Sequence, residues 1–134
     1  MQLGGAVNAG AGTVSIASVT VGRAISLGAE QAGELSLTSA ELDTVTASAL
    51  NIGTADSGAI SVRGNVDPVA VATLNLTSGG DIGSIGGAVL GAGTLNLDAG
   101  GAVDLATAVD TLSFAAAGNV GINEIDALSV DGAS

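Results

Sequence analysis

The chain has 134 residues and a net charge of -11, and it contains two arginines but no Lys, His, Cys, Trp or Tyr. These absences exclude disulfide bonds, thiolate metal sites, Schiff-base lysines and catalysis by cysteine or imidazole. Without a cationic surface or aromatic platforms, we expect no binding of nucleic acid and no adsorption to anionic membranes. Hydrophobic residues make up 47% of the chain, which favours a packed interior over disorder. No aliphatic run approaches the roughly 18 residues of a membrane span, so we expect no membrane insertion.

Apolar residues recur with a period of two, which predicts short β-strands along the whole chain. Each predicted strand is a triplet with aliphatic or aromatic residues on both sides of a central residue. In chain order the triplets are 14–16, 19–21, 25–27, 35–37, 50–52, 60–62, 74–76, 95–97, 103–105, 112–114, 120–122 and 128–130. Gly-rich turns such as 77–80 and 98–101 separate them, and no stretch predicts an amphipathic helix of useful length.

Six of these triplets begin with leucine and recur at intervals of 15 to 24 residues. The predicted inward stack is Leu35, Leu50, Leu74, Leu95, Leu112 and Leu128. The predicted outward ladder, one residue later in each unit, is Ser36, Asn51, Asn75, Asn96, Ser113 and Ser129. A unit this short cannot bury its own apolar face, so each must stack on the next.

The repeats therefore predict an all-β protein, a right-handed parallel β-helix (β-solenoid) of about seven irregular coils. A single domain covers 1–134, with an irregular start at 1–13, repeat coils at 14–130 and a tail at 131–134. At about 4.8 Å per coil the rod would be about 35 Å long. Neither end of the sequence shows a polar cap, so we expect a piece of a longer rod or end-to-end stacking. The alternative is an antiparallel sandwich or barrel, although such folds usually hold more aromatic bulk.

Three stretches carry a resemblance to a known family: 34–43, 49–53 with 58–62, and 93–97 with 100–105. Through them, residues 14–130 resemble the β-helical shaft of filamentous haemagglutinin-type adhesins, the exoproteins of two-partner secretion. The resemblance implies a secreted or cell-surface location on a Gram-negative bacterium and a host-cell or glycan surface as partner. The Asn-Pro motifs of that family's secretion domain are missing, since the only proline, Pro68, follows Asp67. The resemblance therefore implies an interior piece of shaft.

Carboxylates are the only plausible acid–base groups or metal ligands. Those of the last third are Asp98, Asp104, Asp110, Glu124, Asp126 and Asp131. A pair of them could serve glycoside cleavage, and calcium binding would need six to eight oxygen ligands. Glu41 with Asp43, and Glu124 with Asp126, would each place two carboxylates on one strand face.

We favour a simpler role for these carboxylates, as solvated outward positions that keep the rod soluble and its edges unpaired. Arg23 and Arg63 are expected to pair with nearby surface carboxylates, and the alternative is that they anchor an anionic glycan. We expect no enzyme activity, no cofactor and no metal site.

The sequence thus predicts a non-enzymatic, rigid rod segment of a surface or secreted adhesin, used in cell adhesion. The alternative is a self-assembling filament or extracellular matrix subunit that polymerises end to end. Its partners would be neighbouring coils of the same chain or of another copy.

Overall fold

The computed structural model describes residues 7–8, 10, 12–16, 21–29, 33, 35–67, 71–124 and 129–130. Over these residues the chain forms twelve β-strands and one short α-helix, and every strand pair is parallel. The protein is an all-β parallel β-solenoid, as the repeats predict. The right-handed sense of the winding stays a prediction.

The parallel strands form two stacks, which correspond to two successive stretches of each coil. The asparagine stack contains, in spatial order, β2 (Thr13–Ile16), β5 (Val45–Ile52), β7 (Val71–Ser78), β9 (Val89–Ala99), the second half of β10 (Val103–Ala116) and β12 (Ser129–Val130). The serine stack contains β4 (Leu35–Leu37), β3 (Ile25–Leu27), β6 (Ile60–Val62), β8 (Ile82–Ser84), the first half of β10 and β11 (Val120–Glu124). The remaining strand, β1 (Val7–Asn8), pairs with the start of β5.

A short third stretch carries each coil from the serine stack back to the asparagine stack. Residues 106–109 of β10 pair with residues 89–92 of β9, and Val66 forms a bridge to Leu90. β10 therefore runs through all three stretches without interruption.

The core is built from aliphatic columns that run along the solenoid axis. Leu50, Leu74, Leu95 and Leu112 lie in register on successive strands, and each is at most 1% exposed. Each of these inward leucines lies in register with another apolar residue on the next coil, so the alternation of apolar residues along the chain produces a continuous apolar interior. Removing one leucine side chain of this kind from water contributes on the order of 2 kcal/mol.

The solenoid has about four turns, so the predicted count of seven coils is wrong. The predicted count takes every repeat unit of the sequence as one coil. In the structure Leu35–Leu37 pairs with Ile25–Leu27 in the serine stack instead of opening a new coil before β5. In the last unit the described residues 129–130 pair with the second half of β10.

A short helix, α1 (Ser39–Asp43), interrupts the strands where none was predicted. Thr38 caps it, because its hydroxyl accepts a hydrogen bond from the Glu41 backbone N–H while Glu41 Oε2 accepts from the Thr38 N–H at 2.8 Å. This is a capping box, and buried Leu42 fixes the helix to the core. Glu41 and Asp43 therefore lie on a helix and do not share the strand face that the sequence predicts. The helix could not be predicted from hydrophobic periodicity, because five residues are too few to show a 3.6-residue period.

Successive turns approach so closely that some positions accept only glycine. A Cβ atom at Gly100 would lie 2.5 Å from the carbonyl oxygen of Gly79 on the preceding coil. Such a contact is far below van der Waals distance, which explains glycine in the turns that join the two stacks.

The predicted irregular start at 1–13 contains the strand Val7–Asn8, and the strand Thr13–Ile16 begins at its last residue. The predicted tail at 131–134 lies outside the described residues.

Candidate functional site

The central feature of the outer surface is a ladder of asparagine side chains on the asparagine stack. Asn75 donates from Nδ2 to Asn51 Oδ1 at 2.6 Å, and Asn96 donates from Nδ2 to Asn75 Oδ1 at 2.6 Å. Asn51 in turn donates to the Ser15 hydroxyl at 3.3 Å, and Ser113 lies in register with Asn96 at the other end. The three asparagines are half-buried, and their amides are used for coil-to-coil bonding.

Threonines form a second column beside this ladder. Thr73, Thr94 and Thr111 lie in register on successive strands, two residues before the central polar position. The column was not predicted, although the repeated Thr-Leu-Asn-Leu at 73–76 and 94–97 contains its signal. Ser15 was also missed as a ladder member, although it is the central residue of triplet 14–16. The result is a sheet face covered by short polar side chains.

Ser36 does not belong to the predicted outward ladder. It pairs with Ser26 in the serine stack and is 1% exposed. Ser26, which is also buried, donates from its hydroxyl to the carbonyl oxygen of Ala29 at 3.0 Å. The preceding Leu35 is half-buried and lies against Ile25 instead of Leu50.

The last predicted unit is shifted by two residues. Ser129 lies opposite Thr111, where the sequence alignment placed it opposite Ser113, and Val130 takes the place opposite Leu112. Leu128 lies outside the described residues. Register in a parallel stack is set by the length of the connecting turn, which triplet alignment does not measure.

The carboxylates of the last third are dispersed. Asp98 is exposed on the asparagine stack opposite Thr77, whereas Asp104 is exposed on the serine stack opposite Gly83. Asp110 is exposed on β10 between the two stacks. Asp126 and Asp131 lie outside the described residues, as does the side chain of Glu124. Over the described part of the chain, no group of three or more potential metal-binding side chains comes together.

The two arginines also lie apart. Arg23 is exposed in the loop before β3, and its carbonyl oxygen accepts a hydrogen bond from the Gly58 N–H at 2.9 Å. Arg63 follows β6 and is half-buried. Asp67 is exposed, and its neighbour Pro68 lies outside the described residues.

A groove of about 410 Å³ lies between α1 and the stretch that joins the two stacks. Ser39 and Asp43 of the helix form one wall, and its other lining residues are Asn65, Val66, Asp67, Val89, Gly91 and Ala108. Asn65 Oδ1 accepts a hydrogen bond from the Val89 N–H at 2.9 Å. The groove has space for a small polar or cationic group. It cannot activate the Ser39 hydroxyl as a nucleophile by the usual means, because the chain has no histidine or lysine to act as a base.

The arrangement as a whole defines a β-solenoid in which the asparagine side chains of the outer surface bond to neighbouring coils. No protein-family model, curated protein or solved structure matches the chain. Over the described ranges, no helix has the length and hydrophobicity needed to cross a membrane.

Proposed function

We propose that the chain is a non-enzymatic structural segment, a rigid β-helical rod of a secreted or surface adhesin of a Gram-negative bacterium. In this role it holds binding regions at a distance from the cell. Its partners are neighbouring coils, and a host-cell or glycan surface is the target of the assembly to which it belongs.

The observation that carries the proposal is the asparagine ladder. Its amides bond to one another along the axis at 2.6 Å, so the most regular polar feature of the surface is used to join coils. Stacked amides of this kind stabilise parallel sheets. A scaffold role also agrees with the separate positions of Asp98, Asp104 and Asp110 among the described residues, because acid–base cleavage of a glycoside needs two carboxyl groups on either side of one bond.

The test compares fold stability with cell retention. Wild type and Asn75→Ala are labelled, melted by circular dichroism, and incubated with cultured host cells at a temperature where both are folded. As a structural rod, the variant has a lower melting temperature and unchanged retention. Reduced retention with an unchanged melting temperature would instead make the ladder a binding surface and contradict the proposal.

The second candidate is a self-assembling filament or matrix subunit that polymerises end to end. Half-buried aliphatic residues at both ends of the stacks favour it, namely Val14 and Leu35 at one end and Val120 and Ile122 at the other. Light scattering over a range of concentrations, with negative-stain images of the same samples, tests this candidate. Thin unbranched filaments support it, and a monomer at every concentration excludes it.

A further inference from the structure

The step from the serine stack to the third stretch differs between two successive coils. In β10 the step is direct, since Asp104 lies opposite Gly83 and Ala106, two positions later, lies opposite Val89. The preceding coil needs six positions to pass from Gly83 to Val89. It therefore contains four additional residues, 85–88, which form a loop beside the regular path of the coil.

The tip of this loop stands clear of the neighbouring coils. Gly86 and Gly87 are exposed, and both have positive φ, +67° and +78°. A Cβ atom at either glycine would meet nothing within 4 Å. Ile85 beside them is 47% exposed. Between the described residues, no hydrogen bond ties Gly86 or Gly87 to another coil.

Both flanks of the loop, in contrast, are fixed. The Ile85 N–H donates to the carbonyl oxygen of Val62 at 2.8 Å, and the Val89 N–H donates to Asn65 Oδ1 at 2.9 Å. Ala88 is buried. The exposed tip is therefore a short, bounded segment between two anchored points.

The strand that leads into the loop, β8, adds little to hold it in place. β8 spans three residues, of which Ile82 and Gly83 pair with β10, and Gly83 contributes no side chain to the packing. After the loop, β9 pairs with β10 over nearly its whole length. Local opening costs least where few pairs are broken. Residues 83–88 are therefore expected to open as one unit while the fully buried Ile82 and β9 stay in place.

We propose that residues 85–88 are a site of endoproteolytic processing and that the cut rod stays assembled. Exposed loop tips with small residues are preferred cleavage sites, and cleavage of a folded protein follows the population of the opened segment. The loop reads Ile-Gly-Gly-Ala, so the enzyme is an endopeptidase that accepts small and aliphatic residues. Water adds across one peptide bond and leaves a new carboxylate and a new amino terminus. This site is independent of the two functions proposed above.

The cut rod stays assembled because the two pieces are joined by coil-to-coil contacts. β7 lies before the loop and β9 after it, and they pair from Thr73 opposite Thr94 to Ser78 opposite Ala99. The hydrogen bond from Asn96 to Asn75 also joins the two pieces. Hydrolysis in the loop removes none of these contacts.

A lysine-specific endopeptidase tests the site, because the chain has no native lysine and only an introduced bond can be cut. The test variant is Ile85→Lys and the matched control is Ala117→Lys. Both positions are exposed and both are followed by glycine. At the control site the backbone is tied to the neighbouring coil, since the Gly118 N–H donates to the carbonyl oxygen of Gly101 at 2.8 Å.

Under native conditions Ile85→Lys is expected to be cut at least about tenfold faster than Ala117→Lys. Its pieces, 1–85 and 86–134, are expected to elute together from a sizing column in buffer and separately in urea. Equal rates, or faster cutting of the control, would overturn the processing site. Pieces that separate in buffer would overturn the claim that the cut rod stays assembled.

Circular dichroism establishes beforehand that both variants are folded. If Ile85→Lys does not fold, wild type is digested briefly with subtilisin, and the cuts within residues 71–124 are located by mass spectrometry. A cut at 85–88 before any other in this range supports the proposal. An earlier cut elsewhere in the range, or no cut at 85–88, refutes it.

Discussion

Replacing Asn75 with alanine tests the ladder at its centre. Asn75 donates one hydrogen bond to Asn51 and accepts one from Asn96, both at 2.6 Å. The substitution removes both bonds and leaves the inward leucines on either side unchanged.

The magnitude follows from the two bonds and their partial exposure. A typical intramolecular hydrogen bond contributes about 1 kcal/mol net, and water can reach the half-buried partners that remain. We therefore expect Asn75→Ala to lower the free energy of unfolding by about 1–2 kcal/mol. At about 4 °C per kcal/mol for a chain of this size, the melting temperature falls by about 4–8 °C.

The assay is urea denaturation followed by circular dichroism, with Asn119→Ala as control. Asn119 is exposed in the turn before β11, so its replacement is expected to change stability by less than about 0.5 kcal/mol. Asn51→Ala combined with Asn75→Ala is expected to cost less than the sum of the single variants, because both remove the same bond. Equal effects of Asn75→Ala and Asn119→Ala, or full additivity, would refute the ladder.

Three further substitutions test the core, the turns and the helix cap. Leu95→Ala, at a fully buried site, is expected to lower the free energy of unfolding measured in urea by about 2–5 kcal/mol. Leu35→Ala, at a half-buried site, is expected to lower it clearly less, and equal losses would contradict the inward column. Gly100→Ala is expected to lower the melting temperature, because the added Cβ would collide with the carbonyl oxygen of Gly79. Gly121→Ala, where the added Cβ has room, is expected to keep the melting temperature within a few degrees of wild type. The reverse order of the two effects would contradict the turn geometry. Thr38→Ala is expected to cost about 1 kcal/mol through loss of the helix cap, and an unchanged unfolding midpoint would argue against the capping box.

The sequence predicts the fold class and the asparagine ladder well because both depend on local patterns. Alternation around Leu74 and Leu95 fixes which side chains point inward, and repetition of the same triplet fixes parallel stacking. The coil count and the positions of Ser36 and Ser129 could not be obtained in this way, because they depend on which strand a triplet pairs with. That choice is made by the lengths of the connections, and by α1, whose capping box spans only a few residues. The groove beside α1 could not be predicted, since its walls come from segments far apart in the chain.

Parallel in-register stacking is the central claim, and NMR measures it most directly. In a uniformly labelled sample, nuclear Overhauser contacts between backbone protons of β7 and β9 are expected to place Asn75 beside Asn96 and Leu76 beside Leu97 with parallel spacing. Strong contacts between Hα protons of facing residues on strands adjacent in sequence, the signature of antiparallel pairs, would contradict the solenoid and favour a sandwich.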